Sequence, residues 1–131
     1  MHGDVALTVE DGLLVIRGLG PANIEAVFTY QRTAQKYREQ LNHQPWASLV
    51  LLRGEPLLPP AAKSLLIDTI QYACTQQLVA TAIVLQDVAY ENVVRLFWES
   101  IYNQTELPYQ FFHQEAEARD WLYEQIEQAK A

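Results

Sequence analysis

Three histidines (His2, His43, His113), one cysteine (Cys74) and scattered carboxylates are the side chains here with the capacity for chemistry. A zinc-type centre needs several such ligands at close spacing. The histidines fall in the N-terminal segment, a helix–strand loop and a loop after a strand, with no cysteine or carboxylate cluster beside them. No metal and no cofactor is therefore expected. Arg53, Glu55, Asp87, Tyr90 and His113 would share one rim if the central strands run parallel, and acid, base and imidazole together suit general acid–base work. No nucleophile with a base and an orienting group can be named among them, and loops at a sheet rim are polar in any case because they face water. The expectation is a protein without catalytic residues. Cys74 falls on an apolar helix face, where a thiol behaves as a small hydrophobe.

The elements that would position these groups follow from periodicity. Val5, Leu7 and Val9 alternate with Ala6 and Thr8, the period of a half-buried strand. Asp11-Gly12 comes next, a dipeptide suited to a hairpin turn whose central residues need positive φ. Residues 13–17 supply the returning strand, closed by Gly18-Leu19-Gly20-Pro21, and Pro21 suits the first turn of a helix. Over residues 22–41, Ile24, Val27, Phe28, Ala34, Tyr37 and Leu41 recur at helical spacing, with Gln31, Lys36, Arg38 and Glu39 on the wet side. Residues 48–52 form a continuous apolar run, read as a strand buried on both faces. A loop with three prolines, residues 54–60, leads into a second helix over 61–78, burying Leu65 and Cys74 among others. A strand at 81–85, a helix at 91–103, a short strand at Tyr109–Phe112 and a helix at 115–128 complete the pattern. The order ββαβαβαβα predicts one α/β domain over residues 1–131, in two or three layers, with a mixed, mostly parallel sheet of about five strands and crossover helices. Ligands of open α/β sheets sit beyond the carboxyl ends of the strands, here at the loops starting with Arg53, Gln86 and His113.

Composition narrows the partners. The 131 residues carry 16 acids against 9 bases, a net charge of −7. The bases form no run, whereas nucleic-acid binding needs clustered Lys and Arg that release counterions. Neither nucleic acid nor an anionic membrane surface is an expected partner. No apolar run reaches the roughly 20 residues of a spanning helix, and Met1-His2-Gly3-Asp4 lacks the basic region of a secretory leader. One cysteine leaves no internal disulfide. Together these point to a cytoplasmic location, without membrane insertion.

The ending Tyr109-Gln110-Phe111-Phe112, followed by Glu115-Ala116-Glu117-Ala118-Arg119-Asp120-Trp121-Leu122, resembles the STAS-type superfamily. More narrowly it resembles the SpoIIAA-like, or STAS/SEC14-like, bacterial branch. There a short last strand ending in Phe leads into a helix with an EEAxxWL-like signature. The resemblance runs from Val5 to Ile126 and implies a small cytoplasmic domain that acts by binding. Better-known members are anti-anti-sigma factors, switched by phosphorylation of a Ser in a DSSG-like loop before the second crossover helix. The matching stretch here, Leu52-Arg53-Gly54-Glu55-Pro56-Leu57-Leu58-Pro59-Pro60, contains no Ser or Thr. The chain thus resembles the fold without its regulatory residue, and Ser64 and Thr69 are the nearest hydroxyls in the second helix. Similarity to SEC14-type domains implies a lipid-like or other apolar ligand.

Three functions are expected in order. The first is a non-enzymatic regulatory or protein-interaction module, binding a protein partner or forming a homodimer through Arg53, Gly54, Glu55, Leu57 and Leu58. The second is a carrier or sensor of a small apolar ligand held between helices and sheet, with Asp87, Tyr90 and His113 at its rim. The third is an enzyme on the polar rim. An exposed Leu57–Leu58 patch over a sealed core favours the first, and a continuous apolar cavity the second. A tight His113–Glu115–Arg53 cluster in a cleft favours the third. Phe97, Trp98, Tyr102, Tyr109, Phe111, Phe112 and Trp121 are mostly core, with a surplus available for an apolar pocket or a dimer face.

Overall fold

The computed structural model describes residues 4–131, so His2 lies outside the described residues. β1 (Asp4–Glu10) and β2 (Leu13–Gly20) form the antiparallel hairpin. Asp11 and Gly12 take φ of 48° and 83°, as a two-residue turn between twisted strands requires. β2 runs on to Gly20 because its last residues still pair with β3, Gly18 with Leu52 and Gly20 with Gly54. α1 (Ile24–Leu41) begins later than Pro21 would place it. Asn23 is its cap, its side chain accepting from the Ala26 N–H at 3.0 Å, which satisfies an orphan donor of the first turn.

β3 (Trp46–Gly54), α2 (Pro60–Cys74), β4 (Leu78–Val88), α3 (Glu91–Tyr102), β5 (Tyr109–Phe112) and α4 (Glu115–Lys130) complete the expected order. α2 stops at Cys74, short of residue 78. Gln77 takes φ of 71°, and the turn delivers Leu78 into β4 opposite Trp46. The sheet has the order β1-β2-β3-β4-β5, with only β1 antiparallel.

Alternation along the strands feeds two cores. Trp46, Val50 and Leu52 face α1, α2 and α3, whereas Ala47, Leu49 and Leu51 face α4, so the domain has three layers. The α4 side is built on Ala47, Ala80, Ala82 and Ala118, and such short side chains bring the helix close to the strands. The other side relies on large residues to span its gap. At the carboxyl end of β2 and β3, a Cβ on Gly20 would collide with the backbone of Glu55 and Pro56, and Gly54 takes φ of 76°. These two glycines let residues 55–58 fold back across the end of β2. Trp98 holds that loop down, donating from Nε1 to the Pro56 carbonyl at 2.7 Å.

Candidate ligand site

The core under α1 and α2 is incompletely filled. A cavity of about 100 Å³ lies there, floored by Leu14, Ile16, Val50 and Leu52 and roofed by Val27 and Ile70. Its origin is local: α1 and α2 present Ala26 and Ala73 to it, where longer side chains would close the space. The lining follows α1 from Ala26 to Arg38, roughly 18 Å at the helical rise. It also reaches Asp4 and Leu19, both exposed, at the carboxyl end of β2.

Polar groups gather toward the other end, where α1 finishes. Arg38 lines the cavity and is 6% exposed. Among the described residues its side chain makes no ion pair and no hydrogen bond; its guanidinium carbon lies 5.3 Å from the Tyr72 ring centroid. No fully enclosed polar side-chain atom lacks a partner, so the guanidinium N–H groups keep water-sized space beside them. Tyr30 and Tyr102 line the same cavity. Burial pushes the Tyr30 hydroxyl up to about 12, with Arg38 pulling the other way. Tyr102 is raised as well, by burial and then by Tyr30, with a hydrogen bond to Thr81 opposing. Ser48 faces the space too, but its hydroxyl donates to Thr81 Oγ1 at 2.8 Å. The arrangement is a mostly apolar cavity lined also by one guanidinium and by tyrosine side chains. It can hold an amphiphile.

Among the described residues, no hydrogen bond or ion pair joins the residues of the expected rim to one another. Arg53, Glu55, Asp87 and Tyr90 are exposed; Asp87, near the end of β4, and Tyr90, in the turn before α3, take φ of 50° and 53°. His113 Nε2 meets Glu91 at 3.1 Å on the surface. Glu115 instead accepts from Arg119 Nε at 2.8 Å, and the same guanidinium reaches Glu10 at 3.1 Å, tying α4 to the hairpin. The His113–Glu115–Arg53 cluster is therefore absent. Leu57 and Leu58 are half-buried against the core, and Leu58 lines the cavity. They do not form the exposed pair that an interaction loop would present.

Thr69 is buried and donates to the Leu65 carbonyl at 2.8 Å, while Ser64 is exposed on α2. Cys74 and Leu65 are half-buried rather than enclosed. Burial, and then Glu106, push the Cys74 thiol up, against a reactive thiolate. Most of the aromatic surplus is consumed in an edge-and-stack series, Phe97–Trp98–Tyr102–Tyr109–Phe111, with Phe112 and Trp121 meeting on the α4 side. Among the described residues no group of side chains could hold a metal, and no helix is long and apolar enough to cross a membrane.

Arg38 is the site residue that residue type misassigned. It follows Ala34 by one turn and precedes Leu41 by one, squarely on the apolar stripe. Its charge, not its angle, put it on the wet side. Phe28 made the opposite exchange and is 42% exposed.

No family model matches the chain, and no curated protein does. Among solved structures, an uncharacterised protein of the DUF3478 family from Shewanella loihica PV-4, with a SpoIIAA-like fold, superposes with a TM-score of 0.64. The match covers 92% of this chain and 94% of that one at 16% identity. At that identity the likeness speaks for the backbone alone. On that level it agrees with the strand order and helix placement described above: the chain has a SpoIIAA-like fold.

Proposed function

We propose that this domain is a non-catalytic binding module that takes a small, largely apolar ligand between its helices and its sheet, as a carrier or sensor. The cavity carries this reading. Protein interiors are packed about as densely as organic crystals. About 100 Å³ left unfilled by side chains corresponds to roughly 2 kcal/mol of packing at about 24 cal/mol per Å³, which a ligand of matching shape would supply. The groups suited to acid–base work stand elsewhere, paired on the surface as His113 with Glu91 and Glu115 with Arg119.

Trp46 and Trp98 both line the cavity, so intrinsic fluorescence reports on it. Titration with hexan-1-ol should give a saturable change in the wild type that Ala73→Leu, which fills the space, abolishes while staying folded by circular dichroism. A linear, unsaturated response in the wild type would remove the reading.

A second reading, a protein-contact module or homodimer, is favoured by a different surface from the one expected. Tyr90, the cap of α3, and Val93 and Leu96 along it are 75%, 56% and 67% exposed, an apolar strip left uncovered by the described residues. Sedimentation of the wild type and Leu96→Glu tests its self-association: a dimer lost in the variant supports pairing, and a monomeric wild type excludes it.

A further inference from the structure

The class of ligand can be narrowed further, on the reading of the cavity as a binding site. We propose that it takes a short aliphatic monocarboxylate, its carboxylate paired with Arg38 and its chain lying over Val50 and Ile16 toward Leu58.

Arg38 is the reason for an acid. A buried guanidinium normally has a carboxylate or carbonyl oxygens around it, because removing a charge from water without compensation is strongly unfavourable. An arginine that merely snorkels keeps a well-exposed head in bulk water; Arg38 is 6% exposed as a whole and lines the cavity. The Tyr72 ring beside it offers a π face but no lone pair for its N–H donors. A carboxylate would accept from the guanidinium as a bidentate pair. Tyr30, kept protonated by burial, lines the same cavity and offers a hydroxyl donor near that charge. Ser48 is already committed to Thr81 and adds no second charge.

One unpaired cation calls for one negative charge, which suits a monocarboxylate better than a phosphate dianion. The remaining walls decide the rest of the molecule. They are apolar, aliphatic along β2 and β3 with Trp46 and Trp98 beside them, and they follow α1 from Ala26 to Arg38, which suits a chain. A cavity near 150 Å³ holds benzene, so about 100 Å³ encloses only part of a six-carbon chain, the rest lying where the lining reaches the exposed Leu19.

The test compares hexanoate with hexan-1-ol on the full chain at pH 7, by tryptophan fluorescence and calorimetry. Hexanoate should bind roughly tenfold more tightly, or better, as expected for a charge-assisted pair. Arg38→Met should lose that advantage and bind the two alike, and Arg38→Lys should recover part of it. The wild-type comparison needs no variant to fold. Equal or weaker binding of hexanoate there, beside saturable binding of the alcohol, overturns the proposal and leaves the cavity reading standing. Binding of neither compound overturns both.

Discussion

Burial keeps the Tyr30 hydroxyl protonated up to about 12 instead of the ordinary 10.0, against the pull of Arg38, and raises Tyr102 as well. A phenol with a higher pKa in the folded state holds its proton more tightly there than in the unfolded chain. Its contribution is intact below pH 10 and is lost as pH climbs through about 12. Urea unfolding from about pH 9 to about 12 should show stability falling from near pH 10, and Tyr30→Phe should flatten the fall. A level wild-type profile over that span would contradict the burial of these hydroxyls. The same stripe of α1 shows why the site was only partly legible. Periodicity located Val27, Ala34 and Leu41 correctly, and it also located Arg38, but residue type was allowed to override angle. Nothing in a charged residue's identity announces that it lacks a partner, since that depends on what α2 and β3 place around it.

At the scale of elements, the loop of residues 55–58 is held against the domain by hydrogen bonds from Trp98 and Ala22. Trp98 is 7% exposed and donates to the Pro56 carbonyl, while the Leu57 carbonyl accepts from the Ala22 N–H at 3.4 Å. Trp98→Phe should cost about 1–3 kcal/mol through an unsatisfied carbonyl and lost packing. Hydrogen exchange at Leu57 and Leu58 should quicken by more than at β3. Uniform quickening across the domain would mean that Trp98 stabilises the core generally and does not clamp the loop. The order of elements was legible throughout, because strand alternation, the Asp11-Gly12 turn and the helical stripes are local signals. Their ends were less so. α2 stops before Leu78 because strand pairing with Trp46 outweighs the apolar spacing that continues the helix pattern. β4 begins earlier than residue 81 for the same reason.

For the whole molecule, the resemblance drawn from the last strand and closing helix agrees with a SpoIIAA-like backbone. The division of labour between the two faces was not legible. β3 and β4 are apolar on both sides, so their runs do not say which helices cover which side. The cavity is further out of reach, because a void is a small difference between the volumes of many side chains. It has a mechanical corollary. Unfolding lets water occupy space that the folded chain leaves empty, so the unfolded form takes up less total volume, in proportion to the void removed. Hydrostatic compression therefore acts on this domain from inside its helix-side layer. The α4 side, close-packed on alanines, gives compression little to collapse, so the two layers should yield in sequence, with the α1–α2 layer giving way first.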